Sequence, residues 1–146
     1  MSLGSVKIQS PDQMESWIRE NSSLFQSRQL FLLSGPLGVG KTQFVKSLGA
    51  VFGADPVSSP TFAIHQRYTA KQAGQTIEID HLDLYRIETE GDLESIGFWE
   101  LFAQERGWIV VEWAERLREE QLPFNWSRLN IRLEFAEGTS RWLHWS

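Results

Sequence analysis

The sequence has no cysteine and only three histidines, His65, His81 and His144. Disulfides and thiolate metal centres are excluded, and the histidines, lacking zinc-ligand spacing, read as structural or surface residues. No apolar run approaches the roughly 20 residues that a bilayer span requires. The N-terminus lacks a secretory-signal pattern, so a cytoplasmic protein with no membrane contact is expected. Basic residues are in the minority: 14 Lys and Arg stand against 19 Asp and Glu, a formal charge of -5 with no concentrated basic stripe. That balance argues against a free-standing nucleic-acid binder. Internal repeats, linkers and low-complexity stretches are missing too.

What is present fits one folded domain over residues 1–146. The 146 residues, 41% of them hydrophobic, suffice for a single core and leave little room for a separate lid or substrate domain.

The most specific feature is Gly35-Pro36-Leu37-Gly38-Val39-Gly40-Lys41-Thr42, placed after the apolar Leu30-Phe31-Leu32-Leu33 and before a helical pattern. Strand, glycine-rich turn and helix in that order form a Walker A phosphate loop. A polyphosphate leaving water needs its charge matched, and a wrapped loop can aim several backbone N–H groups at it. The amides of Leu37, Gly38, Val39, Gly40, Lys41, Thr42 and Gln43 are the candidates. Lys41 adds a point charge for the β- and γ-phosphates, and the Thr42 hydroxyl is placed to join a Mg²⁺ shell. ATP, ADP and Mg²⁺ are thus the expected ligands. No Asn-Lys-x-Asp or Asp-x-x-Gly motif supports a GTPase.

Periodicity organises the rest. Val6 to Gln9 reads as a strand; Ser10-Pro11-Asp12-Gln13 reads as a capping box opening a helix to about Phe25. Arg28 to Ser34 is the strand entering the phosphate loop, and Lys41 to about Phe52 is a helix with Phe44, Val45, Leu48 and Val51 on one face. Thr61 to Thr69 and Thr76 to Tyr85 form a hairpin around the polar 71–75 turn. Short helices are expected over 91–106, a buried strand over 108–113, a charged helix over 114–121, and a final hairpin from Leu129 to Phe135 with Trp142 to Trp145. The expected fold class is α/β: a P-loop NTPase with a mixed central sheet, flanking helices and antiparallel hairpins.

A phosphate loop needs an acidic partner for Mg²⁺ at the C-terminal end of a neighbouring buried strand. Glu112, closing Trp108-Ile109-Val110-Val111, is that candidate; a lone acid there can equally serve as a helix cap. Asp83, in Asp80-His81-Leu82-Asp83-Leu84-Tyr85-Arg86, is a candidate to orient or activate attacking water. Alternation puts it on one face with His81 and sets Asp80 opposite. Arg86 reads as a partner for a phosphate or for a carboxylate such as Glu88, the second being favoured. Thr61, in Ser58-Ser59-Pro60-Thr61-Phe62, holds the hydroxyl of a loop that orders around the γ-phosphate in nucleotide switches.

Four motifs in register, Gly35 to Thr42, Ser59 to Phe62, His81 to Arg86 and Glu112-Trp113, resemble the TsaE (YjeE) family of small bacterial ATPases needed to make threonylcarbamoyladenosine in tRNA. The segment from Asp92 to Gly97 is similar as well. The resemblance implies that Lys41 and Thr42 hold phosphate and Mg²⁺, that Glu112 completes the metal site, and that Asp83 is required for hydrolysis. It further implies Thr61 in the switch-like loop, Trp113 either signalling the nucleotide state or lying near the site, and Ser10 near the adenine end. TsaD-like and TsaB-like partners are implied, with tRNA reached only through that assembly. Pro36 departs from the acid common after the first loop glycine, and Val39 from a usual alanine. The competing readings are a small-molecule kinase and a nucleotide-gated adaptor that does not need hydrolysis.

Overall fold

The structure is a computed structural model and describes residues 4–56 and 65–146. Eight strands among these residues form one sheet: β1 (Gly4–Ile8), β2 (Arg28–Ser34), β3 (Asp55–Pro56), β4 (His65–Gln72), β5 (Gln75–Asp83), β6 (Gly107–Glu112), β7 (Ser127–Phe135) and β8 (Arg141–Trp145). Their spatial order is β1-β8-β7-β2-β6-β5-β4-β3. The central four, β7, β2, β6 and β5, run parallel, while β4–β5, β7–β8, β1–β8 and β3–β4 pair antiparallel. The expected α/β fold with a mixed central sheet is what the chain forms.

Strands buried on both faces are mostly apolar, and the central pair is so apart from Gln29 and Glu112: every residue of β6 is buried, as are Gln29 to Leu33 of β2. Alternation divides them. Phe31, Leu33, Trp108 and Val110 face the cluster built with α1 (Pro11–Glu20) and α2 (Lys41–Val51). Leu30, Leu32, Ile109 and Val111 face the opposite cluster, which includes Leu93 of α3 (Glu90–Ser95) and Phe102. Trp108 anchors the first cluster, edge-on to Phe25, Phe31 and Phe52 at centroid distances of 5.6, 5.5 and 4.7 Å. Its ring N–H donates to the Gln26 carbonyl at 2.9 Å, so no polar atom of that side chain is left unmet in the core.

α1 begins as its sequence suggests. Ser10 Oγ accepts from the Gln13 amide at 3.2 Å, and Gln13 Oε1 accepts from the Gln9 amide at 2.7 Å, a capping box closed one residue early. The helix stops at Glu20, short of the expected Phe25, because the Asn21 side-chain amide takes the Trp17 carbonyl at 2.8 Å and a single 3-10 turn, Ser22–Leu24, follows. The 71–75 turn is also tighter than expected. Lys71 and Gln72 join β4, and only Ala73 and Gly74, at φ 51° and 79°, make the reversal, as a two-residue hairpin with right-handed strand twist demands.

The charged helix expected over 114–121 does not form. Two 3-10 turns, Ala114–Arg116 and Glu119–Gln121, replace it, separated by Leu117 in extended conformation. Leu117 and Leu122 both enter the second cluster, and five residues apart they could not share one helical face. Of the hairpin expected from Thr61, residues 61–64 lie outside the described residues, and its second strand ends at Asp83 rather than Tyr85.

Candidate phosphate and metal site

Parallel strands bring three chain segments to one edge of the sheet. Leu33, Glu112 and Asp83 are register partners across β2, β6 and β5, so the loop leaving β2 emerges beside both acids. Glu112 shares its face with Trp108 and Val110, the face on which α2 packs. The acid predicted from the end of the apolar run therefore points toward the phosphate-loop helix.

Gly35 has φ 141°, and a Cβ there would lie 2.5 Å from the Leu133 carbonyl oxygen, so β7 crowds the start of the loop. Val39 folds inward and is buried; its amide donates to the Pro36 carbonyl at 3.2 Å and its carbonyl accepts from Arg141 Nε at 2.9 Å. Leu37 points outward. Lys41, Thr42 and Gln43 open α2, where backbone N–H groups have no acceptor within the helix, a standing anion site.

The Lys41 ammonium folds back on its own loop. Nζ donates to the Gly35 carbonyl at 2.5 Å and the Pro36 carbonyl at 3.0 Å, and sits 4.0 Å from the centroid of the Trp113 ring. Burial pulls its pKa below the ordinary lysine value, against the opposing pull of Glu115, Glu112 and Asp83. Trp113 reaches over Lys41 because its backbone turns left-handed, φ 60° and ψ 45°, immediately after β6. For a bulky residue that conformation costs about 1–3 kcal/mol. Tyr85 also packs against Trp113, at 5.0 Å between centroids.

The Thr42 hydroxyl donates to the Glu112 carboxylate, 2.9 Å from Oε1 and 3.1 Å from Oε2. His81 Nε2 lies 2.6 Å from Oε2 of the same carboxylate. Asp83 Oδ1 accepts from the Tyr85 amide at 3.0 Å and lines the cleft with Lys41, Thr42, Glu112 and Trp113, a space of about 270 Å³. A second cavity of about 410 Å³, lined by Ile8, Ser10, Met14, Gln43 and Arg141, shares Gly40 with it.

Lys41, Thr42, Glu112 and Asp83 thus converge, together with the loop residues Leu37, Gly38 and Gly40. Gln43 and Ser10 line the neighbouring cavity, where the Ser10 hydroxyl is held as a helix cap. Thr61 lies outside the described residues. Arg86 is exposed and lines neither cavity. Of the two readings open for His81, structural or surface, its contact with Glu112 favours the first; the alternation that placed it beside Asp83 was the available signal for that contact. Nothing local pointed to Arg141, 102 positions from the loop carbonyl it holds.

Among the described residues no group of three or more His, Cys, Asp or Glu is placed to hold a metal. One hydroxyl and one carboxylate are nevertheless a fitting protein contribution to Mg²⁺, which fills its octahedron mainly with phosphate oxygens and water. No helix among these residues is long and apolar enough to cross a membrane.

Residues 8–142 match the model of the family described as threonylcarbamoyl adenosine biosynthesis protein TsaE. The tRNA threonylcarbamoyladenosine biosynthesis protein TsaE of Bacillus subtilis is 34% identical over 132 residues, 90% of this chain and 77% of that protein. The protein of the same name from Nostoc sp. is 33% identical over 116 residues, 77% of this chain and 66% of the relative's length. Among solved structures, Bacillus subtilis YdiB superposes with a TM-score of 0.69 at 28% identity, covering 99% of this chain and 84% of that one.

Proposed function

The chain belongs to the TsaE family, whose role lies in biosynthesis of threonylcarbamoyladenosine in tRNA, and from that premise we propose that it is a Mg²⁺-dependent ATPase driving a TsaB/TsaD-like assembly. The observation that carries this reading is the meeting of Lys41, Thr42, Glu112 and Asp83 in one cleft at the ends of parallel strands.

In this reading the amides from Leu37 to Gln43, apart from that of Val39, which already donates to the Pro36 carbonyl, cradle the phosphates, and Lys41 leaves the Gly35 and Pro36 carbonyls to meet the β- and γ-phosphate oxygens. Thr42 and Glu112 hold Mg²⁺, which when bound neutralises charge on those oxygens. Asp83 orients the water that attacks the γ-phosphorus as the bond to the bridging oxygen breaks, giving ADP and phosphate. The adenosine end extends past Gly40 into the cavity bordered by Ser10. Thr61 acts from the segment between α2 and β4.

Transition-state charge on the phosphoryl group is commonly met by an arginine finger worth roughly 10³–10⁵ in rate. No arginine lines the cleft among the described residues, so turnover by the isolated chain is slow and the partner assembly raises it. The partners contribute the tRNA surface, in keeping with the -5 charge here; a cytoplasmic site of action follows. The test is phosphate release from ATP and Mg²⁺ by the purified chain, alone and with TsaB-like and TsaD-like proteins. Slow release that partners accelerate supports the reading. Absence of ATP binding, or transfer of phosphate to a metabolite instead of water, overturns it.

A further inference from the structure

The Glu112 side chain is 4% exposed and that of His81 14%, yet Nε2 and Oε2 stand 2.6 Å apart. A carboxylate so nearly withdrawn from water requires donors, and Glu112 has two: the Thr42 hydroxyl, spread over both oxygens, and His81, committed to one. His81 can reach it because β5 and β6 run parallel with Asp83 opposite Glu112 and His81 opposite Val110; His81 is the diagonal neighbour on the same face. Packing alone would not select histidine here, since its other neighbours along that face of β5 are Ile77 and Ile79.

We infer that His81 is a positioning residue for the metal-binding carboxylate: by occupying Oε2 it fixes the carboxylate plane and leaves Oε1 directed to Thr42 and the cleft. Ligating carboxylates depend on such outer partners for orientation, and loss of one typically weakens metal affinity 10–100-fold. The inference rests on the reading of Glu112 and Thr42 as the Mg²⁺ pair. It adds that the His81 contact sets the geometry the cation meets.

The test titrates Mn²⁺ into ADP-loaded full-length protein by electron paramagnetic resonance, with ADP affinity in EDTA measured in parallel. The variants are His81→Leu, His81→Gln, whose Nε2 keeps a donor near the original position, and His81→Asn, too short to reach Glu112. Mn²⁺ affinity about 10–100-fold weaker in the Leu and Asn variants, recovery in the Gln variant and unchanged metal-free ADP affinity are expected. Should His81→Leu not fold, the Asn and Gln pair decides alone. Wild-type affinity in His81→Asn, or equal loss in Asn and Gln, overturns the inference while leaving the nucleotide reading intact. Failure of the wild-type protein to bind Mn²⁺ with ADP overturns both.

Discussion

Thr42 and Glu112, 70 positions apart in sequence, are joined by one forked hydrogen bond: the threonine hydroxyl donates to the two carboxylate oxygens at 2.9 and 3.1 Å. The pair joins the first turn of α2, which begins at Lys41, to the last residue of β6. If it forms the Mg²⁺ site, Glu112→Gln should reduce ATP affinity measured with Mg²⁺ by about 10- to 100-fold, the worth of a hydrogen bond to a charged group. Affinity in EDTA should barely move. Calorimetric titration of ATP in the two buffers checks this; equal losses in both would show that Glu112 acts on the loop rather than on the metal.

Asp83 has one oxygen engaged by the Tyr85 amide and borders the cleft. Asp83→Ala should leave ATP binding within about threefold and lower phosphate release by about 10²–10⁴, the range typical of a positioned base. Single-turnover hydrolysis separates the two effects. Undiminished release would remove Asp83 from the reaction.

The loop glycines differ in what surrounds them. Gly35→Ala drives a Cβ to 2.5 Å from the Leu133 carbonyl, so β7 or the loop must move, whereas Gly38→Ala, at φ 77°, meets open space. We expect Gly35→Ala to cost about 2–3 kcal/mol of stability and Gly38→Ala about 1 kcal/mol from backbone strain alone. Urea denaturation at equal protein concentration ranks them, and the reverse order would contradict the crowding described at Gly35.

Asp80, on the opposite face of β5, is fully buried, and burial by itself would raise its pKa. Hydrogen bonds from His65, Arg67 and Gln104 outweigh that and hold it below the ordinary 3.8. A carboxylate with a depressed folded pKa stabilises fully above its unfolded value and loses that contribution as pH falls through the folded one. Asp80→Asn should therefore cost about 3 kcal/mol near neutrality. The gap from wild type should narrow below pH 3.8. Parallel denaturation series from pH 7 to pH 2.5 test it, and a gap independent of pH would mean that Asp80 contributes only as a hydrogen-bond acceptor.

Legibility followed the range of the forces involved. β2 spans the residues that the apolar run before the loop marked, and Ser10 caps α1, because both depend on neighbours within a few positions. The helix expected over 114–121 failed because its propensity was weaker than the pull of Leu117 and Leu122 into a core completed by α3 and β6. Tryptophan at a left-handed position is equally invisible locally, since nothing before Trp113 shows that its ring contacts both Lys41 and Tyr85.

The chain by itself determined the phosphate loop, the buried strand that ends in an acid and the family to which they belong, since each is written in contiguous residues whose backbone demands are local. Only the folded sheet decided who surrounds that acid. The order β2-β6-β5 set Glu112 between Leu33 and Asp83, parallel register carried His81 to its second oxygen, and α2 delivered Thr42 to the first. Those neighbours come from chain segments 31 and 70 residues away. Strand order and register are fixed by burial summed over the whole core, and no short stretch of sequence contains that sum.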